Sequence, residues 1–390
     1  FYHDAHNLCG KCDYVMANPP FNVDKVKSES CQSAGRLPFG MPSVNKDKEV
    51  GNANYLWISY FHAYLKSTGR AGFVMASSAT DSQGKDKDIR QALVETGDVD
   101  VMISVGNNFF YTKSLPCSLW FFDKAKNEAI KDKVLFIDAR NYYTVVDRTL
   151  NEWSEWQLKN LNAIVWLYRG ETEKYQNLLA EYISDITDKI RLPIDLADEL
   201  LEILPDKFTR DCKLANDNIK RILTKISFAN LDQVKDLLDN LKKTTSDAEG
   251  NTIDYADSLT SDGRKQIADK FDAKSYREYE KSIEIKIGVF VGCVEYANKV
   301  IKEGQWLYEK FGEGEYKDVL GLCKCATRSE IAEKGYSLTS GAYVGVAPVE
   351  DDGVDFAKRM KEIHSELLSL QAESNTLMDI ISKNMEEFGV

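Results

Sequence analysis

The 390-residue chain carries 62 acidic against 50 basic side chains, a formal net charge of −12, with 43% hydrophobic and 11% aromatic residues. That is an ordinary globular composition, long enough for roughly two or three domains; it excludes a disordered chain and, with no run of about 18 apolar residues, a membrane span. The acidic balance argues against a freestanding nucleic-acid binder, which needs clustered Lys and Arg.

The start, Phe1-Tyr2-His3-Asp4, has neither a signal-peptide layout nor an initiator Met, so the chain is expected to begin inside a longer polypeptide. Eight cysteines in so long a chain read as reduced thiols in a cytoplasm. His3, His6, Cys9 and Cys12 recur every three residues and invite a zinc reading, but structural sites join two separated pairs, so no metal is expected.

Five of the eight prolines (Pro19, Pro20, Pro38, Pro42 and Pro116) fall in the first 116 residues. Short apolar runs concentrate there too, at Tyr14–Ala17, Phe73–Ala76, Val101–Ile103 and Leu119–Phe122, with a further one at Val134–Ile137. Such runs suit strands covered on both faces. Tyr55, Ile58, Phe61 and Leu65 mark a helix between the first two, and Ile89 and Leu93 another before the third. The alternation predicts an α/β layer sheet with right-handed crossovers.

From about residue 155 to 305 the pattern is helical, with stripes such as Leu231, Val234, Leu238 and Leu241, and a longer one from Tyr279 to Ile301. Pro193 and Pro205 interrupt it, and Ser246–Asn251 reads as an exposed turn. Near the end, Phe356, Met360, Ile363, Leu367, Leu370, Ser374, Leu377 and Ile381 follow alternating steps of four and three. This heptad seam predicts a long helix packed on another helix or on its own domain.

The tetrapeptide Asn18-Pro19-Pro20-Phe21 follows the strand at Asp13–Ala17. Ligands of α/β sheets bind at the carboxyl ends of strands. Two prolines remove backbone donors and stiffen the turn, so the Asn amide and nearby carbonyls project in a fixed geometry. An amide oxygen and a carbonyl can accept both hydrogens of an exocyclic amino group, and Phe21 offers a flat face for an extruded base. The same four residues also suit a rigid turn with no ligand.

With its surroundings, the chain resembles the methylation subunit of type I restriction–modification systems, a family of N6-adenine DNA methyltransferases that use S-adenosylmethionine. The resemblance runs from Asp13 through Asn22, then Asn54-Tyr55-Leu56-Trp57, Gly69–Val74, Ile89–Leu93, Asn108-Phe109-Phe110-Tyr111, Leu115-Pro116-Cys117, Val134–Ala139 and Leu338–Gly345. It implies part of a Rossmann-like class I methyltransferase sheet, then a helical region and a long C-terminal helix. The domains expected are 1–150 (catalytic), 151–345 (mainly helical insertion or second domain) and 346–390 (a helix for subunit packing). It implies that Asn18 and Pro19, with Pro20, hold the adenine amino group and that Phe21 stacks on the flipped base. One of Phe109, Phe110 and Tyr111 helps frame that base. Asp4, with Asn18, lies toward the cofactor. The partners implied are double-stranded DNA, a specificity subunit, a restriction subunit and a second methylation subunit.

One departure stands out. The family carries a glycine-rich turn well before the Asn-Pro-Pro-Phe element, and residues 1–17 hold nothing like it. Phe311-Gly312-Glu313-Gly314 follows a helical stretch instead of a strand, so a permuted cofactor site is not expected there. The expectation is a chain with the base-handling half of the site and little of the cofactor half; the alternative is a catalytically incomplete interaction module that docks a specificity subunit.

Overall fold

The computed structural model describes residues 1–271, 273–347 and 356–387. In chain order it runs through β1 (Cys12–Ala17), β2 (Val26–Lys27), α1 (Ser28–Ser33), β3 (Glu49–Val50), α2 (Asn54–Tyr64), β4 (Leu65–Ala76), α3 (Lys85–Glu95), β5 (Val99–Val105), β6 (Cys117–Asp123) and β7 (Lys133–Asp138). Each apolar run of the first 140 residues is a strand. The sheet order is β1-β4-β6-β5-β7-β10, where β10 (Cys323–Thr327) comes from far along the chain. β1 lies parallel to β4 and β5 parallel to β7, while β6 and β10 run antiparallel to their neighbours.

β4 and β5, joined through α3, are thus separated in the sheet by β6. The reason is local: only the loop 106–116 joins β5 to β6, and so short a return favours an antiparallel partner.

Alternate residues of the central strands feed two cores. Val101, Ile103, Leu135 and Ile137 pack with the long helices, whereas Met102, Phe136 and Trp120 face Tyr55, Ile58, Ile89 and Leu93 of α2 and α3. β5 and β7 are covered on both faces, as their apolar runs predict. β1 is not. Val15 and Ala17 pack against the α2-side core, but Tyr14 and Met16 on the other face are 76% and 90% exposed, and no strand among the described residues pairs with its outer edge.

After a small ladder of β8 (Thr144–Val145) and β9 (Asn151–Glu152) come α4 (Glu155–Tyr168), α5 (Thr172–Ile203), α6 (Asp206–Ile222), α7 (Leu231–Asp257), α8 (Ser261–Ala268) and α9 (Tyr276–Phe311). Ser154 and Gln157 form a reciprocal cap on α4. α5 and α9 pack along each other, so closely that a Cβ at Gly304 would stand 3.1 Å from the Tyr182 ring.

Two expectations need correction here. Ser246–Asn251 is inside α7: Ala248 and Thr252 are buried, and the Thr252 hydroxyl donates to the Ala248 carbonyl at 2.6 Å, so the apolar stripe carries the helix through Gly250. Pro193 lies within α5, while Pro205 stands at the start of α6.

β10 then returns to pair with β7, followed by α10 (Arg328–Glu333) and α11 (Gly341–Val344), whose Tyr343 stacks on Phe136 at 3.9 Å. The helices of 155–311 are therefore inserted in the α/β unit, and residues 312–345, expected with the helical region, rejoin the sheet instead. The chain divides into two compact units, Phe1–Gly345 and Val346–Val390. In the second, α12 (Phe356–Glu387) carries the heptad seam with Met360, Ile363, Leu367, Leu370, Leu377 and Ile381 exposed. Residues 348–355 and 388–390 and the side chain of Phe356 lie outside the described residues. No helix among the described residues is long and apolar enough to cross a membrane.

Candidate functional site at the Asn18 turn

β1 enters the sheet with Ala17 beside Phe73 of β4, and Asn18 follows at the carboxyl edge. Asn18 is exposed, and its amide makes no hydrogen bond among the described residues. Pro19 is buried, which anchors the turn, and Phe21 is half-buried. Asn22 closes the turn at φ 55, a conformation that non-glycine residues seldom adopt. Its backbone N–H donates to Asn54 Oδ1 at 2.9 Å, and its side-chain oxygen accepts from Asn54 Nδ2 at 2.9 Å and from Asn52 Nδ2 at 3.0 Å.

The three candidate aromatics separate clearly. Phe110 meets Phe21 edge to face at 6.1 Å. Phe109 turns to Trp153 at 5.0 Å and Tyr143 at 6.0 Å, and Tyr111 points outward, 90% exposed. Phe110 comes from the loop after β5 and Phe21 from the turn after β1, so two turns at the carboxyl ends of like-directed strands converge. Asn151 ties down the β5 loop by donating to the Asn107 and Asn108 carbonyls at 3.0 and 2.7 Å.

Behind the turn, α3 braces the same edge. Arg90 is fully buried and donates to the Tyr55 hydroxyl at 3.0 Å and the Ser82 carbonyl at 2.8 Å, while Tyr55 donates to the Ala79 carbonyl at 2.6 Å. Burial pushes the Tyr55 pKa up, against the pull of the Arg90 charge, so it stays a hydrogen-bond donor. On the uncovered face, Asn18 sits on the rim of a cavity of about 720 Å³ floored by Tyr14, Met16, Gly72, Val74, Leu119 and Phe121. Beyond it lies a buried ion group. Asp100 pairs with Arg169 and, at 3.9 Å, with Lys126, whose pKa burial pushes down to about 8 against the attraction of Asp100.

Asp4 is held elsewhere. Its Oδ2 accepts from the Cys9 N–H at 3.1 Å. Desolvation works to raise its pKa, but the N–H groups of Leu8 and Cys9 and the Arg36 charge together lower it. That loop is tied to Ala63, near the end of α2, whereas the Asn18 turn is tied to Asn54 at its start. Nine helical steps separate Asn54 from Ala63, about 14 Å at the usual rise. Asp4 and Asn18 are not brought together.

Cys9 and Cys12 donate to the Ala63 and Leu8 carbonyls, and no three His, Cys, Asp or Glu side chains among the described residues gather as a metal site. A methyl donor's amino-acid end would need a glycine turn after a strand. Gly106 follows β5, but a Cβ there would lie 2.6 Å from the Arg140 carbonyl oxygen, so its freedom serves packing. At Gly314, past α9, an added Cβ would stand 2.8 Å from the Tyr175 ring. Neither glycine opens a cradle beside the Asn18 turn.

Asn22, Asn52 and Asn54, which hold this turn, have no local pattern in the sequence that pairs them. The one signal was three asparagines at the ends of a helix and a proline-stiffened turn.

These features define an α/β protein whose polar site is carried by turns at the carboxyl edge of its sheet. Residues 1–189 match the N-6 DNA methylase family. The MjaIX type I restriction enzyme methylase subunit of Methanocaldococcus jannaschii is 26% identical over 394 aligned positions, covering 100% of this chain and 44% of that protein. The HindI type I methylase subunit of Haemophilus influenzae is 30% identical over 145, covering 37% of this chain and 31% of its own length. Among solved structures, a type I methyltransferase subunit from Streptococcus thermophilus aligns at 22% identity and TM-score 0.36, over 40% of this chain and 32% of that one. The resemblance to type I methylation subunits is borne out, and the chain spans less than half the length of these relatives.

Proposed function

We propose that this chain is the base-handling part of an adenine-N6 DNA methyltransferase, the methylation subunit of a type I restriction–modification complex. The observation that carries the reading is the free, exposed Asn18 amide on a proline-locked turn beside the Phe21–Phe110 pair. Asn18 Oδ1 and the Pro19 carbonyl accept the two hydrogens of an adenine amino group, with Pro20 fixing the turn and Phe21 stacking on the base once it leaves the duplex. With both hydrogens bound, the nitrogen lone pair is localised and directed away from the turn. Catalysis by these residues is positioning, not proton transfer.

The methyl donor is S-adenosylmethionine, and the chain by itself is incomplete for binding it. The open outer edge of β1 and the uncovered apolar face beside it support this: a strand of a methyltransferase sheet with Tyr14 and Met16 in water is one that further protein covers. Asp4 and Asn18 would meet the cofactor only at its margin. Double-stranded DNA is the substrate, with sequence read by a specificity subunit, a second methylation subunit completing the enzyme and a restriction subunit joining it, in the cytoplasm. The exposed seam of α12 supports docking to a helical partner, and a −12 chain leaves most phosphate contacts to the assembly. The alternative, an interaction module with no catalysis, shares that seam but leaves the free Asn18 amide without a use.

The test is product analysis. The full-length subunit, assembled with its specificity partner and given S-adenosylmethionine and cognate DNA, is expected to yield N6-methyladenine. Methylation at cytosine, or none in an assembly that binds both DNA and cofactor, would overturn the reading.

A further inference from the structure

The geometry points to Asn54 as a positioning residue for the Asn18 turn, a role that rests on the reading of that turn as the base-holding site. Asn54 opens α2 and is 2% exposed. A buried amide must place both its donor and its acceptor. Here both go to one residue, Asn22: Oδ1 accepts the backbone N–H and Nδ2 donates to the side-chain oxygen, each at 2.9 Å. The backbone N–H can only donate, so it fixes which end of the Asn54 amide is oxygen. Asn52 completes the ring, accepting from the Asn54 N–H at 2.9 Å while donating to Asn22 at 3.0 Å. The Ala53 N–H donates to the Val23 carbonyl at 2.9 Å, so the two segments are zipped over consecutive residues.

What this ring holds is a left-handed Asn22, four residues after Asn18 and one after Phe21. Such a conformation persists when its surroundings over-determine it. The turn is fixed at its other end by the pairing of Ala17 with Phe73. Between those anchors stand Asn18, two prolines with locked φ and Phe21. Little freedom is left, so the aim of the Asn18 amide and the plane of Phe21 are set by where Asn54 puts Asn22. Only a side chain with donor and acceptor at this spacing can make both bonds. Aspartate keeps the acceptor but turns its second oxygen toward Asn22 Oδ1, and alanine offers neither.

The experiment uses the full-length subunit in its assembled complex. Single-turnover methylation at saturating DNA and cofactor, DNA affinity and thermal melting are measured for Asn54→Ala, Asn54→Asp and, as reference, Asn18→Ala. Asn54→Ala is expected to slow methyl transfer about 10- to 100-fold, the scale of a small misplacement at a reacting centre, with DNA affinity within about twofold. Asn54→Asp is expected to fall between it and the parent. A merely structural asparagine would lower melting without this split between rate and affinity. Should Asn54→Ala fail to fold, the isosteric Asn54→Asp carries the test alone, a slowed rate supporting the role. A rate within twofold of the parent in a folded Asn54 variant, beside an inactive Asn18→Ala, overturns the positioning role and leaves the base site standing. Full activity in Asn18→Ala removes the base site itself and the role with it.

Discussion

At one end of the sheet, Phe136 of β7 lies under Tyr343 at 3.9 Å, Leu135 is sealed beneath the long helices, and β10 returns from nearly two hundred residues away to pair with β7. At the other end, β1 offers Tyr14 and Met16 to solvent and floors an apolar cavity with nothing described above it. Both ends have strands of similar apolar content; they differ in what covers them. The closed end is packed on both faces, and the candidate turn lies where the unit is open. The Asn18 turn is held on one side by α2, through Asn54, and is open on the other.

Substitutions at the two ends test this contrast. The largest expected effect is at the closed end: Phe136→Ala, which also strips Tyr343 of its stacking partner, should lower unfolding stability by about 3–5 kcal/mol in a denaturant titration. A loss under about 1 kcal/mol would mean this end is not the tightly packed one.

An intermediate effect belongs to the site's rear wall. Asp86, partly buried on α3, has its pKa raised to about 6 by desolvation, against the pull of Arg90 and the Ser43 N–H. A carboxyl with a raised folded pKa favours the protonated protein, so its contribution is fully present below the ordinary value of 3.8 and lost as pH rises through about 6. Asp86→Asn is therefore expected to melt higher than the parent at pH 7 to 8, with the gap closing toward pH 4. A gap that widens on acidification would contradict the assignment.

The smallest effect is at the open end. Met16→Ala should move the stability of this chain by no more than about 0.5 kcal/mol, because a side chain already in water loses little when truncated. A loss of 2 kcal/mol or more would show that β1 is covered after all.

Much of this architecture is legible in the sequence, for physical reasons. Tyr14–Ala17, Phe73–Ala76 and Val134–Ile137 are continuous apolar runs, and Tyr55, Ile58 and Phe61 repeat at helical spacing; burial leaves those marks. β10 left none, since Cys323-Lys324-Cys325-Ala326-Thr327 has neither alternation nor a β-branched run and becomes a strand because β7 has an edge to pair. The exposed face of β1 was equally hidden, because Tyr14 and Met16 read as core when their cover is not known. At the site, Asn18 and Phe21 stood out through their prolines. The choice of Phe110 over Phe109 and Tyr111 depended on how one loop folds, and the Asn22–Asn54 pair joins residues 32 apart in sequence, which no local periodicity reports.

The most direct measurement is methyl transfer to cognate DNA by the assembled complex carrying Asn18→Ala, made alongside DNA binding. A fall of at least about a hundredfold in the transfer rate with DNA affinity retained is expected, since one positioned hydrogen-bonding group at a reacting centre is worth that much. An unchanged rate would contradict the claim that this amide holds the reacting amine.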